Sequence, residues 1–487
     1  MNLSLIDTTL RDGNQSLWGA TGLDTAQMLQ IAPMMDRVGY EAIDFSTSTH
    51  MAVAVRFTKE DPWERLSLMR EAMPETPLSF LTTGMRFISW EVASHELMEF
   101  AFRLLVNRGI RRFAVMDPMN NITAMTTMAD LTRKAGGESI VAALTFTLSP
   151  LHDDAHFAKA AEALAQSGKF DRLYLKDPGG LVSAERAATL FPTLRKAVGQ
   201  MPLEFHSHST IALAQFSYLE AAGQGVDCLH TASAAAANGT SQPAVASTLR
   251  NLRDMGVSVD VDDTAIAEID TYFSALAQAE GLSAGQPQEF DRSYFRHQMP
   301  GGMMGTLKRQ LSETKRLHLL PQVLEEVERV RADLGYPIMV TPFSQVVGTQ
   351  ALLNVIGGER YSTIPDEVVR YALGRFGQPA MPMDSALEDR IKSSKRAKEL
   401  DEEPHMASID ELRAKIGKDL SDEEFLLRAV MPADQVDAMK AAGPARRGYD
   451  PKTRPTVDLI RELTSRRDLG EVKLSKPGLT LELKGGR

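Results

Sequence analysis

The sequence predicts an α/β chain built on a closed (β/α)8 TIM barrel, with a helical C-terminal extension and a small α-β-β tail. Three observations predict it. Short β-rich runs alternate with helix-period stretches over the first ~250 residues, the pattern of parallel βα units. Eight such runs are present, the number that closes a barrel of this size. The loop after the first run reads Arg11-Asp12-Gly13-Asn14-Gln15. An open doubly wound sheet would favour a glycine-rich phosphate loop there.

In order, the strand runs are Leu3–Thr9, Ala42–Ser46, Leu78–Thr82, Arg112–Asp117, Ile140–Thr145, Arg172–Lys176, Leu203–His208 and Cys228–Ala232. Between them, apolar residues recur at helical spacing in Thr25–Val38, Trp63–Ala72, Glu91–Asn107, Asp154–Gly168 and Ser183–Val198. These units place the barrel in residues 1–260. Residues 261–400 read as helices, punctuated by Pro300-Gly301-Gly302, Pro337, Pro342 and Pro365, and are expected to cap one barrel end. Residues 401–455 read as a helical segment followed by a linker, Gly443 to Pro455. Residues 456–487 begin with a helical pattern. Two alternating runs follow, Glu471–Ser475 and Leu479–Leu483, split by Pro477-Gly478. A small terminal unit of this kind is expected to dock partner subunits rather than to carry chemistry.

At 487 residues the chain exceeds one ordinary domain, which fits a large barrel with appendages. It is 43% apolar and 24% charged, the composition of a globular protein in water. A net charge of −10 disfavours nonspecific binding to nucleic acid or anionic membranes. No apolar run approaches the roughly 20 residues that span a bilayer. The first strand starts at Leu3, leaving no room for a signal peptide. The single cysteine, Cys228, excludes an intrachain disulfide and fits the cytoplasm; it reads as a small buried residue.

On a barrel of this type, chemistry sits on the loops beyond the carboxyl ends of the strands. Asp12, Lys176, His206 and His208 all fall at that end. His206 and His208 are two apart in a strand and so share a face. Two imidazoles and a carboxylate form a site for a divalent cation: Zn2+, Mn2+ or Co2+. A lysine is a poor neighbour for a cation. It fits as a carbamate formed with CO2, or as a neutral amine that makes a Schiff base with a carbonyl compound. It also fits as a plain barrel lysine paired with Asp177 or Asp12.

Leu5-Ile6-Asp7-Thr8-Thr9-Leu10-Arg11-Asp12-Gly13-Asn14-Gln15-Ser16 resembles the opening of the carboxyltransferase domain of biotin-dependent carboxylases. That group includes pyruvate carboxylase, the oxaloacetate decarboxylase alpha subunit and the transcarboxylase 5S subunit. Further matches are Arg56-Phe57 with Glu60-Asp61-Pro62-Trp63-Glu64-Arg65-Leu66, Lys176-Asp177, His206-Ser207-His208 and Thr240-Ser241-Gln242-Pro243. Beyond the barrel they continue with Met299-Pro300-Gly301-Gly302, Val340-Thr341-Pro342, Val346-Val347-Gly348 and Ile364-Pro365 with Glu367-Val368. The resemblance implies a divalent metal held by Asp12, His206, His208 and a carbamylated Lys176. It implies that Thr240 shuttles a proton between biotin and the acceptor, that Gln15 and Arg56 hold a 2-oxo acid, and that Arg11 supports the site. It also implies a homodimer.

The pocket rim departs from that pattern. Thr83-Gly84-Met85-Arg86 stands where pyruvate-using members have an Arg-Gly stretch, and Phe45-Ser46-Thr47-Ser48 replaces Trp-Gly-Gly-Ala. Pro178-Gly179-Gly180 and Ser209-Thr210-Ile211-Ala212 also differ. These changes suggest the same carboxyl transfer on another enolisable carbonyl compound; the resemblance keeps a 2-oxo acid such as pyruvate, or oxaloacetate in the reverse direction, as the leading acceptor. Two rivals are a metal-dependent Claisen-type lyase or synthase and a non-catalytic scaffold subunit. Ala438-Met439-Lys440-Ala441 mimics the core of a biotinylation site, but its flanks read as a helix rather than a hairpin. Biotin is therefore expected on a separate biotin carboxyl carrier protein, loaded by a biotin carboxylase subunit.

Overall fold

The expected strands are present in this computed structural model and close into one parallel barrel, in the order in which they follow along the chain. Residues 3–89, 92–401, 406–451, 453–465, 471–476 and 479–484 are described. The strands are β1 (Ser4–Asp7), β2 (Ala42–Thr47), β3 (Leu78–Thr83), β4 (Ile110–Met116), β5 (Ser139–Thr145), β6 (Arg172–Asp177), β7 (Leu203–Ser207) and β8 (Cys228–Thr231). β1 pairs with both β2 and β8, which completes the ring. Strand ends differ from the sequence expectation by one or two residues. β1 stops early because Asp7 accepts hydrogen bonds from Thr9 N and Thr9 Oγ1, at 2.9 and 2.8 Å. The chain then winds into a π-helical turn, Thr9–Gly13.

Helices return the chain from strand to strand, and side-chain caps set their starts. Asp24, Ser94, Asn121, Asp153 and Ser183 each accept a backbone N–H from the first turn of the helix that follows. Such caps satisfy donors that the helix leaves unpaired. Ser94 moves one start from the expected Glu91 to His95; Glu91 itself lies outside the described residues.

Residues 301–400 form helices with a separate apolar core that includes Leu307, Val327, Phe343, Val347 and Tyr371. This extension seats on the carboxyl ends of the strands. Ile338 and Val340 reach into the barrel and pack with Leu81, Met116, Ala143 and Tyr174. Arg331 donates to Thr147 Oγ1 at 2.9 Å, and Gln298 Oε1 accepts from the same hydroxyl at 3.0 Å.

The chain then returns to the barrel wall. Phe425, Leu426, Met431, Val436 and Tyr449 join the barrel's core, and Phe425 meets Phe100 edge-on at 5.8 Å. The expected linker, Gly443 to Pro455, differs from the sequence expectation. Its first part is anchored, with Ala445 N donating to Glu64 and Tyr449 donating to Glu280, both at 2.9 Å. The buried tyrosine ring and these two hydrogen bonds outweigh the turn-rich composition. In the tail, Glu471–Lys476 and Leu479–Lys484 pair as antiparallel strands; Pro477-Gly478 lies outside the described residues. Among the described residues no helix is long and apolar enough to cross a membrane.

Candidate active site

The π-helical turn after β1 carries Asp12 inward, and the register of β6 with β7 sets Lys176 beside His206. His208 follows β7 by one residue, its backbone N–H donating to the Asp177 carbonyl. Asp12 Oδ2 lies 3.1 Å from His206 Nε2 and 3.5 Å from His208 Nε2. The two Nε2 atoms are 3.3 Å apart. All three side chains are buried, and their ligand atoms converge within 4.8 Å of one another.

Electrostatics around Asp12 are set by Arg11. That buried guanidinium meets Asp12 Oδ2 at 3.1 Å and donates Nε–H to Asp44 Oδ2 at 2.8 Å. Burial alone would raise the Asp12 pKa. Arg11, the largest opposing influence, overrides burial and holds Asp12 well below the usual carboxylate range. Asp12 stays ionised. Burial drives His206 the other way and keeps its imidazole neutral.

The hydrogen bonds decide whether a cation fits. His208 Nδ1 lies 2.6 Å from the Thr240 carbonyl oxygen, which can only accept. Nδ1 therefore carries a proton, which leaves Nε2 as the ring's ligand atom. Asp12 Oδ2 is buried and accepts no hydrogen bond of normal geometry. The ligand atoms thus converge on one point, with the Gln242 amide and the Arg11 guanidinium beside them. A divalent cation would satisfy them together and suits the donor set of two imidazoles and a carboxylate.

Lys176 is 5% exposed, on the same inner face of the barrel as His206. Among the described residues its amine has no hydrogen-bond or ion-pair partner. Asp177, which the sequence offered as its partner, instead accepts from Leu181 N, Val182 N and Ser207 Oγ. Burial and then Arg11 push Lys176 down to about 8, against the pull of Asp12 and Asp44. A neutral, nucleophilic amine is accessible near neutral pH.

Thr240 joins the same cluster. Its hydroxyl donates to the Ser16 carbonyl at 2.6 Å, and Ser16 Oγ donates to Asp12 Oδ1 at 3.0 Å. Gly301 allows the extension to close on Thr240, because a Cβ there would lie 2.1 Å from Thr240 Cγ2. Gln15 is exposed on the short helix after Asp12. Arg56 is not brought to the cluster. It is exposed, and its Nε–H donates to Gln435 on the returning C-terminal arm at 2.8 Å. The alternative partner, Glu60, is buried against Arg65 and Thr25 instead.

Gln242 is a site residue that sequence reasoning named only as part of a matching stretch. Its Nε2 sits 3.3 Å from His206 Nε2 and 3.2 Å from His208 Nε2, while its Oε1 accepts from Thr8 Oγ1 at 2.8 Å. The stretch Thr240-Ser241-Gln242-Pro243 was the available signal, with no spacing rule to assign the amide a role.

A barrel whose inner carboxyl end joins a carboxylate, two imidazoles and a desolvated lysine defines a class: the carboxyltransferase type of (β/α)8 enzyme. Comparisons with known proteins agree. A model of a conserved carboxylase domain matches residues 295–469. A pyruvate carboxylase subunit from Methanocaldococcus jannaschii is 34% identical over 390 residues, 80% of this chain and 68% of that protein. The 2-oxoglutarate carboxylase large subunit of Hydrogenobacter thermophilus is 31% identical, over 89% of this chain and 67% of that protein. The methylmalonyl-CoA carboxyltransferase 5S subunit of Propionibacterium freudenreichii is 30% identical, over 78% and 74%. Among solved structures, the carboxyl transferase domain of Rhizobium etli pyruvate carboxylase with pyruvate and biocytin superposes with a TM-score of 0.83. It is 27% identical, covering 99% of this chain and 84% of that one. This chain belongs to the carboxyltransferase family of biotin-dependent carboxylases, and it is an enzyme.

Proposed function

We propose that this chain moves a carboxyl group between carboxybiotin, carried on a separate protein, and the carbon beside the carbonyl of a 2-oxo acid. The observation that carries this reading is the convergence of Asp12, His206 and His208 beside a desolvated Lys176 that has no partner among the described residues. That set suits metal-assisted enolisation and has no use in a scaffold. Pyruvate and 2-oxoglutarate are the leading acceptors, since the names of two relatives specify them. Biotin carboxylase and carrier subunits are the proposed partners, because those relatives are named as subunits. A homodimer in the cytoplasm completes the proposal.

Asp12, His206, His208 and a carbamylated Lys176 would hold the divalent metal, which supplies Lewis-acid stabilisation of the acceptor's enolate. Arg11 holds Asp12 ionised and aimed. The Thr240 carbonyl fixes the His208 ring, and the Thr240 hydroxyl, on the same rim, is placed to carry a proton once it leaves Ser16. Ile338 and Val340 close the β3–β5 side of the barrel with apolar surface, which limits water there. The exchange balances: the carboxyl group that leaves biotin ends on the acceptor carbon, and the proton that leaves that carbon ends on biotin.

The test is decarboxylation of oxaloacetate and of other carboxylated 2-oxo acids by purified protein, with and without free biotin. Biotin-stimulated activity is expected in wild type and is lost in Lys176→Ala. Thr240→Ala keeps the backbone carbonyl that orients His208, so metal binding persists while turnover falls. Metal-loaded wild type that is inert toward every 2-oxo acid would exclude this acceptor class.

A further inference from the structure

We propose that His230 and Glu204 form a buried relay that fixes the His206 tautomer, which makes them positioning residues of the metal centre. The inference rests on the metal reading of the Asp12–His206–His208 cluster and extends it below the ligands.

Glu204 and His206 alternate along β7 and point inward together. The β7–β8 register pairs Phe205 with Leu229, so the next residues, His206 and His230, stand side by side. His206 Nδ1 lies 3.1 Å from His230 Nδ1, and His230 Nε2 lies 3.1 Å from Glu204 Oε2. Glu204 is 0% exposed and receives two arginines: Arg112 donates to Oε2 at 2.6 Å, and Arg172 donates to Oε1. Tyr174 walls the relay, with its ring 5.1 Å from His230 and 5.9 Å from His206.

Proton placement follows from these contacts. Two arginines keep Glu204 a carboxylate, which can only accept. His230 Nε2 must therefore carry its proton. Arg112 and Arg172 already balance the Glu204 charge, so a second proton on His230 would have no counter-ion; His230 Nδ1 therefore presents a lone pair and accepts from His206 Nδ1–H. His206 Nε2 then bears the lone pair, between Asp12 Oδ2 and the Gln242 amide. The opposite arrangement would set a His230 lone pair against the Glu204 carboxylate at 3.1 Å inside a low-dielectric core. The relay thus excludes the tautomer whose Nε2–H would block a cation. It also feeds carboxylate charge toward the ligand, as partners behind metal-bound imidazoles do. His208 obtains the same tautomer from a single carbonyl; His206, deeper in the barrel, requires two side chains.

The experiment measures Co2+ affinity by chelator competition, and the Co2+ d–d absorption spectrum, on the full chain. His230→Phe removes the acceptor and is expected to weaken Co2+ about 10- to 100-fold and to shift the d–d bands. His230→Gln can accept from His206 and donate to Glu204, and it should restore most of the affinity. His230→Leu, smaller than Phe, should repeat the loss if the Phe variant does not fold. Wild-type affinity and spectrum in folded His230→Phe or His230→Leu would overturn the relay and leave the metal reading standing. A wild-type chain that binds no Co2+ would instead overturn the metal reading.

Discussion

His208 Nδ1 lies 2.6 Å from the carbonyl oxygen of Thr240, 32 residues further along the chain. One backbone acceptor thereby commits the ring's proton to one side and its lone pair to Asp12. The bond ties the first loop, β7 and the loop after β8 into a single site, so loss of any one ligand should act on metal binding before it acts on folding.

The first prediction follows. Asp12→Asn keeps the side chain's size but removes the charge that Arg11 and both imidazoles surround. Metal content is expected to fall from one divalent ion per chain to a small fraction. Biotin-dependent activity should fall by about two orders of magnitude or more. Metal analysis after gel filtration checks this. Full metal occupancy in the variant would remove Asp12 from the ligand set.

The strands were legible because parallel barrel strands are buried and rich in apolar and β-branched residues, and the spacing of Asp12, Lys176, His206 and His208 put them at one end. Glu204 and His230 were not legible as partners. They lie on different strands, and only the barrel's register pairs them. Arg56 stands apart from the cluster for the converse reason. Its neighbours in sequence matched the family, but the π-helical turn at Ala54–Thr58 points its side chain to the surface and to Gln435. The anchoring of the segment after Gly443 was not legible either, because Gly443 and Pro444 signal only a turn, whereas Tyr449 packs against the barrel core.

Arg56 supplies the second prediction. An exposed guanidinium whose Nε–H donates to Gln435 is a surface contact, and such contacts contribute little to stability. Arg56→Ala is expected to change the KM for the 2-oxo acid less than about 2-fold, equivalent to under ~0.5 kcal/mol. A rise in KM of tenfold or more, with the melting temperature unchanged, would return Arg56 to the substrate.

Asp7 gives the third. Burial, with Asp270 and Asp44 adding to it, pushes its carboxyl up from 3.8 to about 7, although Thr9 donates twice. The native state therefore binds more protons than the unfolded chain between those values, and stability falls as pH rises through them. From pH 5 to pH 8 this group should remove about 2–3 kcal/mol. Urea unfolding of Asp7→Asn at the two pH values should show a loss smaller than wild type by that amount. Equal losses would assign the slope to other groups.

Lys440 gives the fourth. It lies in the helix Ala433–Ala442, and its ammonium pairs with Glu424. A biotinylated lysine needs a tight hairpin that a ligase can grip, and a helix does not present one. Streptavidin blotting of protein expressed with an active biotin ligase is expected to be negative. Activity should then require free biotin or an added carrier. A positive blot abolished by Lys440→Arg would place the cofactor on this chain.

Lys176 gives the last. Its pKa of about 8 leaves roughly a tenth of the amine neutral at pH 7, against about 0.03% for an ordinary lysine. Only the neutral form attacks CO2, losing a proton as the N–C bond forms, so carbamate should build up on this lysine before any exposed one. In metal-free protein, competitive labelling with a small anhydride should give Lys176 a reactivity midpoint near pH 8, well below the 10.5 of an ordinary lysine. The sign is fixed by burial: a desolvated ammonium loses its proton early, and reactivity rises with pH from about 7 to 9. Added bicarbonate should protect Lys176 selectively, and a 13C-labelled sample should show one carbamate carbon that Lys176→Arg removes. A midpoint shared with the surface lysines would mean that the amine is solvated and paired in solution, and the carbamate would lose its physical basis.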